Sequence, residues 1–321
     1  MTSGPTTGEP GLVSVVVPNY NGAAYVRDCL DSLRAQTYEP LESIIVDDAS
    51  TDGSADLVTS SYSEMRLIRL PRNRGFAHAA NQGIGAGRGE IVALLNNDAV
   101  AEPGWIEELV GALRRHPDAG SAASKILLLD PPGTLNSAGD IFRRNGVPDN
   151  RGAWETDHGQ YDEEVEVFGA SGAALAFRRA MLADVGPFDE RFFMYCEDVD
   201  LAFRAQLAGY RCIYTPRAIV RHRLSASGGG QLASYHCGRN FVWLAARDLP
   251  AAAWRRYWPS IVAAQLGLAL QAMLHVREPA ARARLLGQLV GLLGAPRFIG
   301  ERRALNQRRR VSDSYLLSLL A

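Results

Sequence analysis

Four groups of residues carry side chains able to do chemistry. Asp47-Asp48 opens the run Asp47-Asp48-Ala49-Ser50-Thr51-Asp52-Gly53-Ser54, and Asn96-Asn97-Asp98 follows the apolar Ile91 to Leu95. Glu197-Asp198-Val199-Asp200 is the third group, and His222, 24 residues after Asp198, is the fourth. A carboxylate such as Asp48 can accept the ring N–H of uracil or thymine, and Tyr20 can stack on such a base. Asp98 is the one carboxylate of its triplet. Mg²⁺ and Mn²⁺ take oxygen ligands and often use only one or two protein carboxylates beside phosphate and water. A neutral imidazole such as His222 is a reasonable further ligand. Glu197 and Asp198 are adjacent carboxylates that raise each other's pKa, as suits a general base. Each group has a plainer reading. Asp48 can cap the next helix, although Asp52 fits that role better. Asn96 to Asp98 can be an Asn-Asp turn. Glu197 to Asp200 can be an acidic first helical turn, favourable to the dipole, and Asp200 fits that reading. A lone histidine is more often structural than a ligand.

The elements that must position these groups follow from the apolar pattern. Val13–Val17, ending at Pro18, reads as a strand buried on both faces, and so do Ser43–Val46 and Ile91–Leu95. Arg66–Leu70 reads as an edge strand. Ala24–Gln36, a short segment after Gly53, and Phe76–Ile84 have helical spacing. Strands alternating with helices predict a parallel sheet with right-handed crossovers, whose ligands bind at the carboxyl ends of the strands. Those ends carry Pro18-Asn19-Tyr20-Asn21-Gly22, Asp47 to Ser54, Asn73-Arg74-Gly75 and Asn96-Asn97-Asp98. Beyond Asp98, Trp105–His116 reads as an amphipathic helix and Ser121–Leu129 as extended. Asp130–Gln160 is a long Gly/Pro/Asn/Asp-rich connection of the kind that is functional or mobile. Val165–Phe177 is strand-like but broken by Gly169, Ser171 and Gly172. Val199–Ala208 is helical and Ile219–Val220 a last short strand.

Together the runs VVVPNYNG, IIVDDASTDGS, NRGFAHAANQG and LLNNDAV resemble the family 2 inverting glycosyltransferases of GT-A fold. The later GASGAALAFRR and GPFDERFFMYCEDVDLAFRAQLAGYRCIYTPRAIVRH extend the resemblance over about Val13 to Gly230 and are most similar to the bacterial rhamnosyltransferase branch. The resemblance implies an α/β fold, a Rossmann-like mixed but mostly parallel sheet flanked by helices, with a C-terminal helical extension. It places the donor base at Asp48 and a divalent cation, Mg²⁺ or Mn²⁺, on Asp98 and His222, where it bridges the diphosphate. It makes Asp198 the general base of a single inverting displacement, with Glu197 orienting it or the acceptor. The usual Asp-x-Asp is here Asn96-Asn97-Asp98, a departure that weakens metal affinity without abolishing it. Pro18, Asn19, Tyr20, Arg74, Gly75, Asn81, Asn96 and Asn97 are expected on the donor, Asn81 and Gln82 with less weight, and Ser171 and Gly172 beside the acceptor. Trp154, Phe192, Phe193 and Tyr195 are candidates for sugar stacking or for core. Arg239-Asn240 is expected either to close over the diphosphate or to be structural. The donors of this branch are nucleotide sugars, usually dTDP-L-rhamnose, with a UDP-hexose as the alternative. The expected acceptor is a bacterial surface glycan or its lipid-linked precursor.

The bulk properties narrow the classes. With 321 residues, 47% hydrophobic and 21% charged, the chain can bury a substantial core. A net charge of −1 argues against nucleic acid as partner. The expected division is a disordered lead (1–10), a nucleotide-sugar half (11–100), an acceptor and catalytic half (101–230) and a helical extension (231–321). From Arg277 onward nine arginines face three acidic residues. Beside them Ile261–Leu274 is uncharged but shorter than the roughly 20 residues of a spanning helix. The tail from Trp254 therefore reads as an amphipathic surface that lies on a membrane, packs on the body or forms a homo-oligomer. The four cysteines lack a C-x-x-C pair and read as buried thiols of a reducing compartment. The N-terminus has no signal-peptide pattern, so the expected location is cytoplasmic, peripheral on the inner face of the membrane. No G-x-G-x-x-G follows the first strand and no Gly-Lys-Ser/Thr loop is present, which argues against dinucleotide oxidoreductases and P-loop NTPases. A non-catalytic sugar-nucleotide module is the remaining rival, and Asn96 gives it its footing.

Overall fold

The computed structural model describes residues 7–223 and 230–321. Its first half runs β1 (Glu9–Asn19), α1 (Val26–Arg34), β2 (Leu41–Asp47), α2 (Ser54–Ser61), β3 (Arg66–Arg69), α3 (Phe76–Ala86), β4 (Gly89–Leu95), β5 (Ala99–Ala101), α4 (Trp105–Arg115) and β6 (Ala119–Leu128). Three short strands follow, β7 (Leu135–Ser137), β8 (Asp140–Phe142) and β9 (Pro148–Asn150), and then β10 (Val165–Val167) and β11 (Ala174–Arg178). The chain continues through α5 (Arg179–Val185), a 3₁₀ turn at Glu190–Phe192, α6 (Glu197–Leu207) and β12 (Arg211–His222). It ends in α7 (Gly230–Arg247), α8 (Ala251–Leu274), α9 (Pro279–Gln307) and α10 (Asp313–Ser318).

The main path of the sheet is β10-β12-β6-β11-β4-β1-β2-β3, with β5 on β12 and β7 on β6. Strands β3, β2, β1 and β4 are mutually parallel, and β11 runs antiparallel between β4 and β6. The period-2 alternation of β1 decides which layer each valine joins. Val13, Val15 and Val17 share a cluster with Cys29, Leu30, Trp105 and Leu109 of α1 and α4. Val16, with Ile44 and Val46 of β2, meets Ala77, Ala80 and Ile84 of α3. Burial on both faces is why these strands read as unbroken apolar runs.

Several expectations change at the element level. Glu9 and Pro10, assigned to a disordered lead, belong to β1; Glu9 N–H donates to the Arg88 carbonyl at 2.7 Å. The remaining lead, residues 1–6, and residues 224–229 of the expected catalytic half lie outside the described residues. The short strand at Ile219–Val220 is the end of the twelve-residue β12. Its pairing with β6 shifts register between Thr215 and Ile219, where Pro216 cannot donate to the ladder. The long connection 130–160 holds β7 and the hairpin β8–β9. The helical extension opens with α7 at Gly230, and the tail expected from Trp254 begins inside α8. It joins a third cluster in which Trp243, Leu244, Phe298 and Leu320 meet Phe192 and Phe203. All four cysteines are free thiols; Cys29, Cys196 and Cys212 are buried, but Cys237 is partly exposed. Among the described residues no helix is long and apolar enough to cross a membrane.

Candidate active site

A cleft of about 460 Å³ opens along the carboxyl ends of the parallel strands. Pro18, Asn19, Tyr20, Asp48, Gly75, Asn96, Asn97 and Asp98 line it from one side, and Ser171, Gly172, Glu197, Asp198 and His222 from the other. The floor of the first side is a cross-braced amide network. Asn19 Nδ2 donates to Asp47 Oδ1 and Ser54 Oγ, both at 2.9 Å, and Asn19 Oδ1 accepts Asn97 Nδ2 at 2.8 Å. This ties the ends of β1, β2 and β4 together. A Cβ at Gly22 would collide with both Asn19 and Asn97, so the turn after β1 needs glycine for close approach.

Asp52, not Asp48, receives the first N–H of α2, from Ser54 at 3.0 Å. Asp48 instead holds the loop after β3, accepting Arg74 N–H at 2.9 Å and Gly75 N–H at 2.7 Å. Burial raises its pKa, and these two N–H groups pull it back. Tyr20 stands exposed at the same end with its ring free to stack. From the end of β2 to Gly172, just before β11, the chain crosses three strand spacings, roughly 14 Å.

The midpoint of the cleft is the pair Asp98 and His222, 4% and 8% exposed. Their Oδ1 and Nε2 atoms are 3.1 Å apart. Two ligands at right angles on a cation with bonds of ~2.1 Å are about 3.0 Å apart, so the spacing fits a shared divalent ion. His222 Nδ1 lies 3.0 Å from Asn136 Oδ1. A proton donated there leaves the Nε2 lone pair facing Asp98, which is the tautomer a metal ligand requires. Among the described residues no three His, Cys, Asp or Glu side chains gather for a metal. The protein thus offers two ligands, and phosphate and water would complete the set, as Mg²⁺ and Mn²⁺ accept. Asn96 Nδ2 lies 3.5 Å from His222 Nε2, beside the pair.

Glu197 and Asp198 begin α6. Asp198 accepts N–H from Gly172 at 2.8 Å and from Val199 at 2.8 Å. Burial raises its pKa against these two donors. Glu197 is 5% exposed and is pushed well above the usual carboxylate range by burial and then by the charge of Asp198. The loop that delivers both has positive φ at Phe193, Tyr195 and Cys196, 65°, 64° and 68°. Such backbone is costly for non-glycine residues and must be held from outside. Asn240 of α7 does this, its Nδ2 donating to the carbonyls of Phe192 at 3.2 Å, Met194 at 3.1 Å and Tyr195 at 2.6 Å. Arg239 adds bonds to the Arg191 and Phe192 carbonyls at 3.1 and 2.7 Å. Of the two roles expected for Arg239-Asn240, these bonds are the structural one.

Two expected donor contacts point elsewhere. The Arg74 guanidinium pairs with Glu190 at 3.1 Å, and Asn81 binds the Phe188 backbone through both its amide atoms. Neither lines the cleft. Trp154 is exposed outside it and Phe192 is core, while Phe193 and Tyr195 do line it. Asn136, Asp140, Asp149 and Asn150 line it too, and sequence reasoning missed them. Their only signal is the polar pair Asn136 and Asp140 around the turn at Gly139, whose φ is 96°.

The family described as Glycosyl transferase family 2 matches residues 14–186. The N-acetylglucosaminyl-diphospho-decaprenol L-rhamnosyltransferase of Mycobacterium tuberculosis (strain H37Rv) is 31% identical over 300 residues, which is 85% of this chain and 95% of that protein. Among solved structures, GalNAc-T7 with UDP, GalNAc and Mn²⁺ aligns with a TM-score of 0.60 at 15% identity, covering 74% of this chain and 48% of the other. The mannosyltransferase PcManGT of Pyrobaculum calidifontis with GDP-Man and Mn²⁺ aligns at 0.55 and 20% identity, covering 98% and 85%. These likenesses establish the fold: a GT-A sheet with C-terminal helices.

Proposed function

The chain belongs to glycosyl transferase family 2 and is a glycosyltransferase; we propose that it transfers L-rhamnose from dTDP-L-rhamnose, with inversion, to a hydroxyl of a lipid-linked bacterial glycan. One observation carries the reading: Asp98 with His222, and Asp198 with Glu197, open on the same cleft as Asp48 and Tyr20. In this reading Tyr20 stacks on the base and Asp48 accepts its ring N–H. Asp98 and His222 would hold a divalent cation, which when bound would supply electrostatic stabilisation to the leaving diphosphate. Asp198 takes the proton of the acceptor hydroxyl, which attacks the anomeric carbon from the face opposite the nucleotide. The N–H groups of Gly172 and Val199 keep the carboxylate aimed, and burial keeps it basic enough to accept the proton.

The rhamnosyl donor is supported by the Mycobacterium tuberculosis relative, and so is a polyprenyl diphosphate carrier for the acceptor. A membrane-bound acceptor also fits the last helices. Trp258, Val262, Leu266, Leu270 and Leu274 form an exposed stripe at spacings of four along α8, and Leu286, Leu289 and Leu293 expose a second on α9. Arg255, Arg256, Arg277 and Arg282 are exposed nearby. Such a surface seats peripherally on anionic lipid on the cytoplasmic side. The test of the core reading is Asp198→Asn. Transfer falls by about 10²–10⁴-fold while dTDP binding persists. Transfer near the parent rate would remove Asp198 as base, and a parent chain that binds dTDP but transfers to no acceptor would favour a binding module.

A further inference from the structure

Asp140 is a buried carboxyl of the cleft to which the donor chemistry gives no role. It is 3% exposed, and neither of its carboxyl oxygens has a hydrogen-bond partner among the described residues. Glu197 Oε2 is likewise buried and unpartnered. A buried carboxyl without partners is costly, because it has lost water and gained nothing in return. The backbone nevertheless fixes Asp140 in place. Its N–H donates to the Gly169 carbonyl at 2.9 Å, it pairs with Asn150 across the β8–β9 hairpin, and Gly139 before it turns at φ 96°. Burial, and then the charge of Asp198, hold its pKa well above the usual range, so the two carboxyls share one electrostatic environment. The nucleotide end, at Asp48 and Tyr20, lies on the far side of the sheet's central strands. Asp140 lines the cleft on the side of Asp198: the Gly169 carbonyl that holds its N–H lies three residues before Gly172, whose N–H donates to Asp198 at 2.8 Å. A sugar presents several O–H groups on adjacent carbons, which are the donors and acceptors an unpaired carboxyl lacks.

We propose that Asp140 is an acceptor-specificity residue, its carboxyl group binding a sugar hydroxyl beside the one that Asp198 deprotonates. The assignment rests on the reading of Asp198 as base. It makes the segment 135–150 the acceptor wall of the cleft, and it places a polyhydroxylated acceptor there rather than a simple alcohol.

The experiment compares the full-length chain with Asp140→Ala and Asp140→Asn, using a short-chain lipid diphosphate bearing N-acetylglucosamine and its monodeoxy analogues as acceptors. Acceptor kcat/KM falls about tenfold or more in Asp140→Ala, and one monodeoxy acceptor loses as much in the parent enzyme. That same analogue loses nothing further in Asp140→Ala, while the Kd for dTDP stays within about twofold, as expected if the donor site is untouched. Because a buried carboxyl without partners must give up its charge when the chain folds at neutral pH, a cost an amide does not carry, Asp140→Asn raises Tm by about 2 °C or more. Full additivity with every analogue, or a Tm that falls in Asp140→Asn, overturns the assignment and makes Asp140 structural. If the parent enzyme transfers to none of these acceptors, the acceptor proposed above is wrong and Tm decides alone: a rise supports a ligand-facing Asp140, no change or a fall overturns it.

Discussion

His222 joins three readings in one side chain: Nδ1 meets Asn136, Nε2 meets Asp98, and β12 ends there. Removing the orienting partner is therefore informative. Asn136→Ala weakens Mn²⁺ about 10–100-fold, read as the Mn²⁺ concentration that half-saturates donor binding. An unchanged value would mean that the imidazole is aimed by something else. The carboxyls carry a pH signature. Glu197 is raised by burial and then by Asp198, so the native state keeps its proton above the ordinary value of about 4.3. The native state then binds more protons than the unfolded chain, and stability falls as pH rises from about 4.3 toward the raised value. Glu197→Gln removes this contribution and flattens Tm against pH; a slope unchanged in the variant would contradict the shift. Asp48, Asp98, Asp198 and His222 were legible because each sits where an apolar run stops or a helix starts. Asn136 and Asp140 were not, because a three-residue strand has too little alternation to separate from a loop.

The loop that delivers Glu197 and Asp198 depends on elements far from it in sequence. Arg247 of α7 is buried, donates to Asp189 at 2.6 Å and Asp248 at 2.8 Å, and also binds Asp200 of α6. Arg247→Met takes the hydrogen-bonded cation from buried Asp248 and leaves Asp189 and Asp200 with Arg191 and Arg204 alone, at a cost of about 3–5 kcal/mol, measurable by denaturant unfolding. A loss under 1 kcal/mol would mean that the network does not hold α7 to α6. Asn240→Ala removes the side-chain bonds that reach three carbonyls of a positive-φ loop, and the expected result is a lower kcat with the dTDP Kd unchanged. The parallel half of the fold was readable from its doubly buried strands. Helix α7 lies within the expected helical extension (231–321) but had no bounds of its own, because His236 and Asn240 are buried among its apolar residues, which erases the amphipathic stripe. Most of β12 escaped because Pro216 and the bulge after Thr215 interrupt its period of two.

At the scale of the molecule, the proposed donor and acceptor ends of the cleft lie three strand spacings, roughly 14 Å, apart. The extension both braces the loop before Glu197 and exposes an apolar belt. Leu266→Glu with Leu270→Glu should abolish flotation with anionic vesicles and leave Tm nearly unchanged, since both side chains are solvent-facing. Vesicle binding that survives the pair would move the contact elsewhere. The central claim is cation-assisted transfer from dTDP-L-rhamnose, and its most direct test is turnover across a panel of nucleotide sugars with Mg²⁺, with Mn²⁺ and with EDTA, reading the product's anomeric configuration. The account predicts turnover of dTDP-L-rhamnose alone, only with the metal, and with inversion. Turnover that persists in EDTA would contradict the Asp98–His222 site, and preference for a UDP-hexose would contradict the rhamnosyl donor.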